Sequence, residues 1–204
     1  MFQPPWSESL PDAGDIMIEL TREQQIRLLK LARTAIAEKL GHETMPEVLD
    51  FTEEPFPEKC GAFVTLHIRG DLRGCIGYIV GVKSIPETVT EMSLASAFRD
   101  PRFMPLKKHE YPSIDIEISV LSPIEDVADI SEIVVGRDGI IISRGFNSGL
   151  LLPQVATEYN WDLETFLEHT CYKAGLPGNA WKKEGTKIQK FSAQVFSEKE
   201  LGLV

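Results

Sequence analysis

The sequence predicts an α+β fold with largely antiparallel sheets flanked by helices. Segments with apolar residues at alternating positions come in pairs joined by short glycine-containing turns, which is typical of β-hairpins. Other segments have apolar residues at helical spacing, begin at a capping residue and end at glycine or proline. The chain has 204 residues, of which 43% are hydrophobic and 25% charged. This composition suffices for a sizeable core in one large or two small globular units.

The helices are predicted from their ends. Thr21 and Gln24 have the spacing of a capping box, in which each side chain bonds the other residue's backbone N–H. Gly41 ends the helix that follows, and Pro101 ends the next one. The predicted helices are Thr21 to about Leu40, about 85–99 after the cap Ser84, Pro153 to about Tyr159, and Leu163–Ala174 after the cap Asp162.

The strands are predicted from alternation, which is cleanest in 114–121. A two-residue turn at Gly70-Asp71 is expected to join the first two strands. A second hairpin is expected to pair Val134-Val135 with Gly139–Ser143. The predicted strands are about 61–69, 72–80, 114–121, 134–135, 139–143, 149–152 and 187–196.

The chain is predicted to consist of an irregular N-terminal arm, 1–17, followed by one folded unit, 18–204. The arm is rich in proline and has no periodic pattern. Within the folded unit, regions 61–99 and 134–174 share an order of hairpin then helix. This order suggests an internal duplication, which the residues alone do not establish.

Charge and cysteine usage exclude several classes of protein. The formal net charge of −10 argues against nucleic-acid binding, because phosphate contacts need a basic surface. No apolar run approaches a membrane span and no signal peptide is recognisable, so we expect a cytoplasmic protein. Its three cysteines are then reduced thiols. No cysteine or histidine spacing matches a metal site, so neither a metal nor a cofactor is predicted.

The stretch most suggestive of function is Leu72–Tyr78, a strand-like run that contains Gly74 and Gly77. Glycine within a strand is usual where the backbone bends or is approached closely by another group. Cys75 lies between these glycines and is the candidate catalytic residue.

Two registers of the hairpin give Cys75 different chemistry. With a turn at Gly70-Asp71, Cys75 lies opposite Leu66 on an apolar face, where burial raises the thiol pKa and makes it unreactive. A shift by one residue places it opposite Thr65 or His67 instead. A Cys–His pair would favour a nucleophilic thiolate.

A substrate-binding role is predicted for the groups around this cysteine. The guanidinium of Arg73 can offer a planar fork to a carboxylate or phosphate, which Gly74 and Gly77 allow to approach the bare backbone. Arg102 lies in a basic stretch that could focus an anion, and Asp100 is expected to hold one of its arginines. The alternatives are an arginine lying along the sheet with its head in water, and a solvated connector.

Asp115, Glu117 and Ser119 share one face of a predicted strand, where paired carboxylates suit acid–base work. Their alternation with isoleucines is explained equally well by a polar outer face, and this is the preferred interpretation. None of the three is therefore counted among the predicted site residues.

Motifs along the chain resemble those of the AMMECR family, named from the Alport syndrome, midface hypoplasia and elliptocytosis chromosomal region. The hallmark LRGCIG stands at Leu72–Gly77, although Tyr78 follows where threonine is usual. The resemblance covers about residues 20–196. Further matches in the same order are Ala97–Phe103, Pro105-Leu106 with Glu110, Ile118–Ser122, Leu151–Ala156 and Trp161-Asp162.

The resemblance implies two intimately joined lobes with the hallmark at a cleft between them. It also implies partners, because bacterial and archaeal members are often encoded with Memo-like and radical S-adenosylmethionine proteins. We expect a small anionic ligand or substrate in this cleft, with thiol chemistry at Cys75 as a further prediction. The alternative is a non-enzymatic module that binds the Memo-like and radical S-adenosylmethionine proteins. The residues do not decide between an enzyme and such a module.

Overall fold

The computed structural model describes residues 19–43 and 49–204, so the predicted N-terminal arm lies outside the described residues. Within this part of the chain, no helix combines the length and the apolar character needed to cross a membrane. The helices are α1 (Arg22–Lys39), α2 (Ile85–Phe98), α3 (Pro153–Glu158) and α4 (Leu163–Lys173), with short 3₁₀ turns at Tyr111–Ser113, Ile130–Glu132 and Ala180–Lys182. The strands are β1 (Ala62–Ile68), β2 (Asp71–Tyr78), β3 (Ile114–Leu121), β4 (Glu125–Asp126), β5 (Asp138–Arg144), β6 (Asn147–Leu151) and β7 (Lys187–Ser197).

The strands form one antiparallel sheet in the order β2-β1-β3-β7-β5-β6, and the short strand β4 also pairs with β7. Strand β7 joins two halves of this sheet. Its residues 193–197 pair with β3, whereas its residues 187–192 pair with β5. The predicted α+β class with antiparallel pairing is therefore confirmed.

All the helix-packed core lies on one face of the sheet, which we call the outer face. On β7, Phe196 packs in the cluster beneath α1 and α2, and Ile188 packs in the cluster beneath α4. These two residues are an even number of positions apart, so they point to the same side. The opposite, inner face holds a third apolar cluster, to which Phe63 of β1 and Leu150 of β6 both belong. In a flat sheet these strands would lie about 19 Å apart, so the sheet curls around its inner face.

The two hairpins differ in detail from the prediction. The first turn is Arg69-Gly70 and not Gly70-Asp71. Both of its residues have positive φ angles, 57° and 88°, as tight hairpin turns require. The predicted pairing of Val134-Val135 with Gly139–Ser143 is wrong, because β5 pairs with β6 across a turn at Gly145-Phe146.

The two halves nevertheless repeat one arrangement of hairpin followed by helix. Hairpin β1–β2 precedes α2, and hairpin β5–β6 precedes α3 and α4. In each half a glycine on the second strand faces the backbone of the helix region behind it. Gly74 lies against Ser96 of α2, and Gly149 lies against Ala174 at the end of α4.

Candidate functional site on the inner face of the sheet

A β-bulge at Arg73 decides which residues surround Cys75. At this point β2 has one residue more than β1, and Arg73 is the residue without a partner. Cys75 therefore lies opposite Thr65, and the first of the two predicted registers, with Leu66 opposite, is wrong. His67, the other residue considered, lies two positions further along β1 and pairs at the start of β2.

Three polar side chains form a row across the inner face. Thr65 pairs with Cys75 on one side and with Glu117 on the other, and directly paired residues point to the same face. The hydroxyl of Thr65 donates a hydrogen bond to Sγ of Cys75 at 3.2 Å. The neighbouring row contains Phe63 and Val195, and Val195 is 38% exposed although it lies on a central strand. The inner face is thus open to solvent beside the polar row.

Burial controls the protonation of both acids in this row. It raises the pKa of the Cys75 thiol, while the hydrogen bond from Thr65 and the positive charge of Arg102 lower it. Burial also raises the pKa of Glu117; His67 opposes this rise, and nearby carboxylates add to it. A carboxyl with a raised pKa exchanges protons closer to neutral pH than an ordinary one, which suits general acid–base catalysis.

Asp100 and Arg102 bind the free edge of β2. The carboxylate of Asp100 accepts a hydrogen bond from the backbone N–H of Cys75 at 2.9 Å, and Nη2 of Arg102 donates to the carbonyl of Cys75 at 3.2 Å. Arg102 also donates to both Asp100 oxygens, at 3.0 and 2.7 Å. These bonds hold the pKa of Asp100 well below its usual range. The pair makes the hydrogen bonds that a neighbouring strand would make, and so fixes the backbone of Cys75.

The expectation that Asp100 holds an arginine is therefore confirmed. A role of Arg102 in ligand binding stays a prediction. Its side chain is 53% exposed, so part of it is accessible beside the β2 edge.

The fork of Arg73 is already occupied, which corrects the prediction of an open anion-binding group. Its Nε and Nη2 donate to the Glu110 carboxylate at 2.9 and 3.1 Å, and Nη2 also donates to the carbonyl of Met104 at 2.9 Å. The remaining nitrogen, Nη1, is buried and has no hydrogen-bond partner. Arg73 therefore ties β2 to the chain that follows α2.

Gly74 and Gly77 leave no space for a ligand. A Cβ atom at Gly74 would overlap the carbonyl oxygen of Ser96, and one at Gly77 would overlap the ring of Phe63. The predicted reason for these glycines, close approach of a ligand to bare backbone, is therefore wrong. Their missing side chains admit a helix on the outer face and an aromatic ring on the inner face.

The second hairpin shows that this fold does not require a polar row. When the two hairpins are aligned on the glycine that faces the helix, Thr65 and Cys75 correspond to Ile141 and Leu150. Both of these residues belong to the apolar cluster on the inner face. Polar side chains at these positions are thus particular to the first hairpin.

Residues 29–196 match the family model of AMMECR1. The chain belongs to the AMMECR1 family. A protein of Methanothermobacter thermautotrophicus is 44% identical over 185 residues, which are 88% of this chain and 96% of that relative. One from Methanocaldococcus jannaschii is 42% identical over 189 residues, which are 89% and 93% of the two chains. The crystal structure of an uncharacterised protein from Pyrococcus horikoshii matches with a TM-score of 0.75 and 42% identity, over 84% of this chain and 90% of that one.

In this member of the AMMECR1 family, the structure gathers three of the predicted residues and adds two, Thr65 and Glu117. Cys75, Asp100 and Arg102 lie together at the edge of the sheet, and Glu117 joins the row through Thr65. Glu117 was missed because alternation alone does not separate a solvated outer face from a curled inner one. Within the described residues, no group of three or more His, Cys, Asp or Glu side chains is arranged to hold a metal ion.

Proposed function

We propose that this AMMECR1 family member binds a small molecule on the inner face of the sheet, beside Cys75, Thr65 and Glu117. The observation that carries the proposal is the polar row, in which a thiol, a hydroxyl and a carboxyl occupy directly paired positions. Burying polar groups costs free energy of folding unless they are hydrogen-bonded. The second hairpin has isoleucine and leucine at two of the matching positions, so stability alone does not account for the row.

The spacing of the row favours a ligand held between the thiol and the carboxyl. Cys75 and Glu117 lie on either side of β1, so their Cα atoms are about 10 Å apart. In addition of the Cys75 thiol to a carbonyl carbon, the S–H bond and the C=O π bond break and an S–C bond forms. The π electron pair goes to the carbonyl oxygen, which also gains the proton, and Glu117 is the candidate to carry that proton from sulfur to oxygen. If the ligand is anionic, Arg102 is the candidate to meet its charge. Both Arg73 and Arg102 are paired with a carboxylate, but the side chain of Arg102 is 53% exposed and that of Arg73 only 15%.

The thiol part of the proposal is tested by alkylating the full chain with iodoacetamide and locating the label by mass spectrometry. Cys75 is partly exposed and should react in the folded protein, whereas the buried Cys60 and Cys171 should react only after unfolding. The charge of Glu117 raises the pKa of Cys75, so Glu117→Gln should lower that pKa and speed alkylation at a fixed pH. Labelling of Cys75 only in denaturant would overturn the proposal.

Binding itself is tested by soaking crystals of the protein with a fragment library. Fragments are expected on the inner face, in contact with Cys75 or Glu117. A groove on the outer surface, lined in part by Phe51, Phe56 and Pro86, offers an internal comparison. Fragments found in that groove and never on the inner face would contradict the proposal.

As a second proposal, the protein binds a protein partner. The family resemblance suggests Memo-like and radical S-adenosylmethionine proteins as the partners. Exposed apolar side chains at the end of β2 and just beyond it support this proposal. They are Tyr78, Val80 and Val82, which are 38%, 47% and 62% exposed. Titration calorimetry against proteins of both kinds tests it, and the absence of binding heat with all of them would count against it.

A further inference from the structure

The segment between α2 and β3 reverses the charge of the protein locally. The chain carries a net charge of −10, yet residues 99–110 include several basic side chains and only two acids. Both acids form ion pairs with arginines, Asp100 with Arg102 and Glu110 with Arg73. Their carboxylates are also less exposed than the basic side chains of the segment. The basic side chains of the segment are exposed or half exposed; they are Arg99, Arg102, Lys107, Lys108 and His109.

The same segment is held firmly although it has little regular structure. The Leu106 N–H donates to the carbonyl of Ala97 at 2.8 Å, and the Lys107 N–H donates to the Glu110 carboxylate at 2.8 Å. Arg73 holds the carbonyl of Met104 at 2.9 Å. Despite these anchors the side chain of Met104 points away from the protein, and the residue is 76% exposed.

Arg73 brings the exposed groups of this segment together. The guanidinium groups of Arg73 and Arg102 lie 5.8 and 5.5 Å from the centre of the Phe103 ring. Met104 and Lys107 are tied to the same place through their backbones, by Arg73 and by its partner Glu110. An exposed thioether thus lies between an arginine and a lysine in the sequence of a firmly held loop, which we call the Met104 surface (Arg102–Lys107).

We propose that the Met104 surface docks an acidic segment of a partner protein. Carboxylates of the partner contact Arg102 and Lys107, and an apolar side chain beside them packs on Met104, whose flexible thioether adapts to varied shapes. This surface adjoins the row of Cys75, Thr65 and Glu117, because Arg102 also bonds the carbonyl of Cys75. Met104 and Lys107 are not part of the proposed ligand site, so substitutions at these two residues test the docking surface independently.

Charge and shape favour a protein partner over other anions. The net charge of −10 repels nucleic acid and anionic membranes as whole surfaces, whereas a short acidic peptide meets only the local positive charge. A free phosphate would use the cations and leave Met104 without a contact. An acidic peptide that contains leucine or phenylalanine satisfies both features of the surface.

The test titrates the full chain with a synthetic peptide, Asp-Glu-Leu-Phe-Asp-Glu, and follows the ¹³C-methyl signals of its methionines by NMR. Met104→Leu assigns the signal of interest. We expect the Met104 methyl to shift on titration, and the affinity to fall when sodium chloride is raised from about 50 to about 300 mM. Lys107→Glu should weaken binding by about tenfold. Its side chain is exposed, so this variant should fold normally.

The controls separate docking from non-specific attraction. Lys183→Glu makes the same charge change at an exposed position in the other half of the protein and should leave the affinity unchanged. Inorganic phosphate should not shift the Met104 methyl. Equal weakening by Lys183→Glu and Lys107→Glu would overturn the proposal. It would also be overturned by an unshifted Met104 signal, or by a shift with phosphate as large as with the peptide.

Discussion

Replacing Gly74 with alanine tests whether the hallmark glycine serves packing or ligand access. The new Cβ atom would overlap the backbone carbonyl oxygen of Ser96, so β2 and α2 would have to separate by roughly 1 Å to reach an ordinary contact. Overpacking of this kind costs about 1–3 kcal/mol, and the lower entropy of the unfolded alanine chain offsets about 0.4–1 kcal/mol of it. We therefore expect Gly74→Ala to lower the free energy of unfolding by about 1–2 kcal/mol.

Urea denaturation and calorimetry measure this change, and in a protein of this size we expect Tm to fall by about 2–8 °C. Gly149→Ala, which meets the backbone of Ala174 in the other half, should behave in the same way. Asp71→Ala is the matched control, because this exposed residue of β2 should change stability by no more than about 0.5 kcal/mol. If Gly74 only leaves room for a ligand, Gly74→Ala should instead raise the free energy of unfolding, because alanine lowers the entropy of the unfolded chain. If Gly74→Ala is as stable as the natural protein or more stable, the packing explanation is refuted.

Other substitutions test the remaining contacts. Glu198→Ala removes a nearly buried carboxylate that pairs with an arginine of α1, and should lower the free energy of unfolding by about 3 kcal/mol in urea titrations. Asp100→Asn should cost about 1–3 kcal/mol at pH 7. Because hydrogen bonds from Arg102 depress the folded-state pKa of Asp100, this stabilisation is present above its unfolded pKa of about 3.9 and is lost as the pH falls below it. The difference between Asp100→Asn and the natural protein should therefore shrink in acid, which denaturation at several pH values checks. Thr65→Val removes the hydrogen bond that lowers the pKa of Cys75, so iodoacetamide should label that thiol more slowly at pH 7; an unchanged rate would show that the bond has no effect.

Local signals predicted most of the helices and strands because their causes are local. The capping box of Thr21 and Gln24 forms as expected, and Gly41 ends α1 with a φ angle of 70°. Strand β3 has the bounds that its alternating pattern predicts. Each of these features depends on residues within a few positions of one another, so a single sequence contains the necessary information.

The pairing around Cys75 could not be predicted in the same way. The first turn places Arg69 at a φ angle of 57°, a conformation that side chains other than glycine adopt infrequently. The bulged residue Arg73 bonds to Glu110, which lies 37 residues further along the chain. The alternation of apolar and polar residues along a strand does not predict such long-range contacts. The sequence therefore allows two registers, which give the inner-face row different residues, and its alternating pattern favours a solvated face for Glu117.

The contacts around Cys75 distinguish it from a cysteine that only fills space. Cys60 and Cys171 are buried in the apolar clusters beneath the helices. Cys75 is partly exposed, and its backbone is held from the free edge by Asp100 and Arg102. Packing alone does not require a bidentate ion pair at the edge of a strand, because a free edge can bond to water. The pair instead fixes the backbone of Cys75, and with it the direction in which its side chain projects from the sheet, as the proposed reaction of this thiol would require.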